Sequence, residues 1–180
     1  MQQKIVLIGG PGTGKSSVLN ELISRGYFCM PEISREVTLK AQEKGIDQLF
    51  LTEPLLFSNL LLEGREKQFI NADKDNSDIV FFDRGIPDVH AYLNFLDTKY
   101  PEYFLEKSNQ YLYHKVFMLP PWEEIYVSDN ERYETFEKAI EIDHHLKKTY
   151  QDIGYKINIV PFGSIKERTN FILDSLKSGI

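Results

Sequence analysis

The stretch IGGPGTGKSS, residues 8–17, follows the apolar run Ile5-Val6-Leu7-Ile8 and leads into a segment of helical periodicity. Gly9, four residues, Gly14, Lys15 and Ser16 fit G-x-x-x-x-G-K-[ST] in full. Glycines let successive backbone N–H groups turn inward and approach oxygen atoms closely. The helix that follows points its positive end at the same spot. Lys15 is suited to neutralise the outer phosphates, and the Ser16 hydroxyl to ligate Mg²⁺. A bare strand-to-helix turn has no need of Lys-Ser at those positions. The expected ligand is therefore a nucleoside triphosphate with Mg²⁺, with Gly10, Pro11, Gly12, Thr13, Gly14, Lys15, Ser16 and Ser17 as its cradle.

Outward from the loop, strand-like and helix-like segments alternate. Apolar runs over 4–8, 27–30, 79–82, 116–119 and 157–160 read as strands. Helical patterns cover 15–25, 33–44, 53–72, 87–96, 101–112 and 131–150, and a last helix starts after Ser164 as N-cap. Val18, Leu19, Leu22 and Ile23 mark one apolar face, Leu55, Leu56, Leu60, Leu61 and Phe69 a second, and Ile165, Phe171, Ile172 and Leu176 a third. Short continuous apolar strands separated by helices predict an α/β fold with a parallel sheet covered on both faces. The length of 180 residues suits one domain over 1–180, with a small lid around 120–135.

Composition narrows the class. Hydrophobic residues at 42% and charged residues at 27% describe an ordinary globular chain. A net charge of -6 gives no bulk attraction to nucleic acid. Cys29 is the single cysteine, which excludes an intramolecular disulfide and a cysteine metal cluster; it reads as a small buried hydrophobe. No apolar stretch approaches the roughly 20 residues of a membrane helix. Met1 leads straight into a strand-like run, so neither signal peptide nor membrane is expected, and a cytoplasmic location is.

In a parallel α/β sheet, ligands sit beyond the carboxyl ends of the strands. Asp83, ending DIVFFD, stands where such folds hold the Mg²⁺ shell, with helix N-cap as the alternative. Arg84 follows, suited to hold a phosphate or an acceptor, or to form a structural ion pair. Glu32 follows the second strand; it reads as a base for an attacking hydroxyl, or as a cap or ion-pair partner of the helix after it. Arg35, three residues on, is in reach of the same cleft. Pro120-Pro121 ends the fourth strand, and the polar stretch to Arg132 reads as a flap whose arginine closes over phosphates, or as an exposed helix charge. Trp122 and Tyr126 read as flap packing, with contact to a base as the alternative. Pro161 to Ser164, after the fifth strand, read as neighbours of the nucleotide base or as a simple strand-to-helix turn. Asp88 and Tyr92, four apart, share a helix face, read as directed at the cleft. The four histidines form no metal spacing.

Five stretches then converge on one resemblance: GGPGTGKSS, PEISREV, FFDRGIPDVHAY, VFMLPPWEEIYVSDNERYETFEKA and VPFGSIKERTNFIL. Together they resemble the AAA-type P-loop ATPase family that includes the kinase domain of NadR, over nearly the whole chain. The resemblance implies a nucleoside and nucleotide kinase type of fold, three-layered, with strand order 2-3-1-4-5. It implies Glu32 as base, Asp83-Arg84 as an acidic-Arg pair and Arg132 as a lone lid arginine. It also implies ATP as donor and an unidentified small-molecule acceptor.

Two functions follow as expectations: a kinase acting on a small nucleoside-like hydroxyl, or an ATP-dependent regulatory module with weak hydrolysis and a protein partner. A guanine switch is disfavoured because no N-K-x-D stretch occurs. A remodelling ring ATPase is disfavoured because Arg, not Glu, follows Asp83.

Overall fold

The computed structural model describes residues 2–43, 45–46, 49–126 and 135–177. At its centre lies β1 (Gln3–Ile8), hydrogen-bonded on one side to β3 (Ile79–Asp83) and on the other to β4 (Lys115–Met118). The strand β2 (Phe28–Met30) extends the sheet beyond β3, and β5 (Ile157–Ile159) beyond β4. All pairings are parallel, and the order is β2-β3-β1-β4-β5, the 2-3-1-4-5 order expected.

Burial on both faces explains why β1 reads as a continuous apolar run. Ile5 and Leu7 face α1 (Lys15–Ser24) and α8 (Ile165–Lys177), in a core with Leu22, Phe81, Phe117 and Ile172. Val6 and Ile8 face the opposite layer, where α4 (Pro54–Ala72), α5 (Ile86–Phe95) and α7 (Phe136–Asp152) supply Ala72, Ala91, Ile142 and Tyr150. A third cluster joins α4, α5 and α6 (Tyr103–Gln110) through Leu61, Leu62, Val89 and Phe104. The sheet is thus the middle of three layers.

Several expectations shift. The helix read over 33–44 is α2 (Ser34–Glu43), and a short α3 (Leu49–Thr52) precedes α4, where the sequence pattern shows no separate signal. Pro54 occupies the first turn of α4, where its missing N–H costs nothing. Ile23 is exposed at the edge of its helix's apolar stripe, whereas Leu56 and Leu60 are exposed because they lie on the side of α4 opposite the buried Ser58, Leu61, Leu62 and Arg65. Ile165 is exposed too: it stands in the first turn of α8, at the sheet's carboxyl edge. Cys29 is half-buried, packed against the Phe81 side of the sheet. No described helix is long and apolar enough to cross a membrane.

Candidate active site

The glycine loop leaves the carboxyl end of β1 and wraps into α1. Gly12 and Gly14 hold left-handed backbone, at φ 73° and 79°. Space forbids a side chain at either: a Cβ on Gly12 would meet the Tyr126 ring, and one on Gly14 the Arg168 guanidinium at 2.6 Å. Three of the loop's carbonyls are taken by side-chain donors. Lys15 Nζ donates to the Gly9 carbonyl at 3.1 Å, Thr13 Oγ1 to that of Gly10 at 3.1 Å, and Arg168 Nη2 to that of Thr13 at 2.7 Å. Lys15 is buried, and that burial, with the neighbouring Arg84 guanidinium, draws its ammonium down to about 8.

Across the cleft, Glu32 stands between β2 and α2. Its Oε1 accepts from the Ile33 and Ser34 amides at 2.9 and 3.0 Å, so it caps the start of α2. Its Oε2 accepts from Arg84 Nε at 2.6 Å, and Arg65 Nη2, from α4, donates to Oε1 at 3.2 Å. Glu32 thus lines the cleft and is at the same time the cap and the ion-pair partner that the alternative reading expects. Burial on its own raises a carboxyl; here the Arg65 and Arg84 guanidiniums and the Ser34 amide outweigh it and hold Glu32 at about 2.

Arg84 adopts φ 69°, a conformation a non-glycine residue occupies only when its surroundings hold it. Its amide donates to the Leu7 carbonyl at 3.0 Å, and its Nη1 donates to the Tyr92 hydroxyl at 3.0 Å. Asp88 lies behind it, fully buried, with Oδ2 accepting from the Gly85 amide at 2.9 Å and the Tyr150 hydroxyl at 2.6 Å. Asp88 thus faces the core, and Tyr92 faces Arg84. Arg65 Nη1 closes the network on the Gly85 carbonyl at 2.9 Å. Asp83 ends β3 in register with Leu7 of β1. Burial pushes its carboxyl above the ordinary value, against the pull of Lys15 and Arg84, and its Oδ1 is buried with no hydrogen-bond partner among the described residues.

One cleft of about 810 Å³ opens beyond the carboxyl ends of the strands, with Arg65, Asp88, Tyr92 and Tyr150 behind its wall. It brings together Gly10, Pro11, Gly12, Thr13, Gly14, Lys15, Ser16 and Ser17 with Glu32, Asp83 and Arg84. Past β5 the lining is Gly163, Ser164, Ile165 and Arg168; Pro161 is exposed and lies outside it, because the turn after β5 presents its second half to the cleft. Arg35 is exposed and also lies outside the lining. Trp122 lines the cleft and stacks on Phe162 at 5.1 Å, while Tyr126 packs on Gly12 and the Phe136 ring. Arg132 lies outside the described residues. No group of three His, Cys, Asp or Glu among the described residues is placed to hold a metal ion.

Sequence reasoning misses Arg65, Arg168 and Tyr150. A signal for two of them is present: Arg65 and Arg168 interrupt apolar helix faces, four residues from Leu61 and from Ile172 respectively. A charge at such a position is buried against a partner.

Comparison with known proteins adds the following. Residues 4–168 match the family described as AAA domain. Curated protein sequences give no significant match. Among solved structures, the chain is similar to deoxyadenosine kinase from M. mycoides with products dCMP and a flexible dCDP bound, at TM-score 0.72 and 17% identity, covering 98% of this chain and 100% of that one. It is similar to NadR in complex with NR, at TM-score 0.77 and 17% identity, covering 99% of this chain and 52% of that one, so it spans about half the NadR chain. It is similar to thymidylate kinase from Candida albicans, at TM-score 0.72 and 16% identity, covering 99% and 92%.

Proposed function

The chain belongs to the AAA domain family, and on that premise we propose that it is a kinase transferring the γ-phosphoryl group of Mg²⁺–ATP to a hydroxyl of a small, nucleoside-like acceptor. One observation carries the reading: a single cleft joins a complete phosphate-binding loop to Glu32, Asp83 and Arg84 on the facing wall. A nucleotide switch needs no carboxylate across from its phosphates.

In this reading the loop amides and Lys15 hold the phosphates. The residues fit a magnesium ion: the unpartnered Asp83 Oδ1 and the Ser16 hydroxyl, both at the cleft, are the hard oxygen donors it prefers. The ion neutralises charge on the phosphate oxygens when bound. Glu32, held near 2, stays ionised at neutral pH and accepts the hydrogen bond of the acceptor hydroxyl, orienting its oxygen for attack. Arg84 offers a guanidinium to the transferring group. Gly163 and Ser164, which line the cleft, border the nucleotide base, and the lid arginine of this reading is Arg132. Similarity to structures described as deoxyadenosine kinase and NadR with NR supports the acceptor class.

The hold of two arginines on Glu32 favours a second reading, an ATP-binding regulatory module with weak hydrolysis. One assay separates the two: ADP release from Mg²⁺–ATP, with and without a panel of nucleosides that includes nicotinamide riboside. The kinase reading expects one acceptor to raise turnover well above background. Lys15→Ala and Glu32→Gln should each lower that turnover by about 100-fold or more. ATP binding with no acceptor effect would sink the kinase and leave the module.

A further inference from the structure

Arg168 belongs to no part of the loop motif and is 155 residues from it in sequence, yet it is bound to it. It is 2% exposed. Its Nη2 donates to the Thr13 carbonyl at 2.7 Å, and its Nη1 fills the space behind Gly14. Trp122 covers the guanidinium at 5.7 Å and is itself stacked on Phe162. The stem is equally fixed. The Arg168 amide donates to the Ser164 carbonyl, and Ser164 and Glu167 cap the helix start reciprocally. The guanidinium is therefore presented by a rigid element.

A trans peptide is planar, with its C=O and N–H pointing in opposite directions. Holding the Thr13 oxygen toward Arg168 turns the Gly14 N–H the opposite way, away from the guanidinium. We propose that Arg168 is a positioning residue for phosphate binding, acting through the Thr13–Gly14 peptide to aim the Gly14 amide at a phosphate oxygen. The inference deepens the nucleotide-binding reading of the loop and rests on it. It is distinct from a contact with the nucleotide base, the other role open to a residue that lines the cleft.

The test compares Arg168→Met with wild type in calorimetric titrations with Mg²⁺–ATP and with inorganic tripolyphosphate, which has no base. The Gly14 amide is followed by NMR during the second titration. Arg168→Lys, which keeps the charge and most of the stem, stands in if the methionine variant fails to fold. The expected result is a loss of about 10-fold in affinity for both ligands, with Gly14 no longer shifting on tripolyphosphate. Loss for ATP alone would assign Arg168 to the base and overturn the proposal. Loss for both with a wild-type Gly14 shift would assign it to long-range charge and overturn it too. A wild-type protein that binds neither ligand overturns the nucleotide reading, and this inference with it.

Discussion

Glu32 touches both helix α2 and Arg84, and the residue that makes this arrangement stable is Arg65. Removing one partner of a buried ion pair costs more than the pair contributes, because the remaining charge is left desolvated. Arg65 is 3% exposed, and its two Nη atoms hold Glu32 and the Gly85 carbonyl. Arg65→Met should therefore lower stability by about 3 kcal/mol in urea unfolding. A loss under about 1 kcal/mol would mean that Arg84 alone satisfies Glu32. The same substitution removes the first opposing influence on the Glu32 carboxyl, so its pKa should rise from about 2, a change readable by NMR titration. Lys15 shows the complementary case: burial weakens its charge, and the carboxylates Asp83 and Glu32 restore part of it.

At the scale of the element, α8 illustrates how a local sequence signal supports a distant site. Ser164 and Glu167 form an S-x-x-E box: the Glu167 carboxylate accepts from the Ser164 amide at 2.8 Å, and Ser164 Oγ accepts from the Glu167 amide at 3.3 Å. Because this box fixes the first turn, it also fixes where Arg168 emerges. Ser164→Ala should cost about 1 kcal/mol, or about 3 °C in Tm for a chain of this size. A thermal transition equal to wild type would show that the Glu167 bond alone sets the helix start. By contrast, α5 starts at Gly85 without a side-chain oxygen, and Asp88 supplies the bond to the Gly85 amide from within the helix. Asp88 is then committed to the core rather than to the cleft.

Across the whole molecule, stability in acid is set by opposing buried groups. Burial pulls His90, between α5 and α6, from 6.5 down to about 4. The unfolded chain takes its proton first, so stability falls as pH drops from 6.5 to 4, by about 3 kcal/mol at most. Asp143 acts in the other direction. Burial raises it from 3.8 to about 6, so the folded chain takes that proton first and gains stability as pH drops from 6 to 3.8. Urea unfolding at pH 7 and 4.5 separates the two. His90→Gln should shrink the loss between these pH values, and Asp143→Asn should enlarge it. An unchanged pH dependence in His90→Gln would mean that His90 charges freely inside the fold.

The glycine loop, the alternation of strands and helices and the place of Asp83 at the carboxyl end of a strand are legible in the chain itself. Each is a contiguous pattern, and local physics ties it to one structure: glycines where the backbone turns left-handed, apolar runs where both sheet faces are covered, an acid at a strand's end. The strand order came from resemblance, since pairing depends on helices packing between strands far apart in sequence. Exposure of apolar residues, as for Ile23 at a stripe edge and Ile165 in the first turn of α8, depends on where the neighbouring layer stops. Arg65 and Arg168 are the clearest remainder. Their sequence shows only a charge on an apolar face, while their partners lie 33 and 155 residues away. Which charge is desolvated, and against what, is decided when the layers close, because the cost of burying an ion is set by the groups that surround it rather than by its own neighbours in the chain.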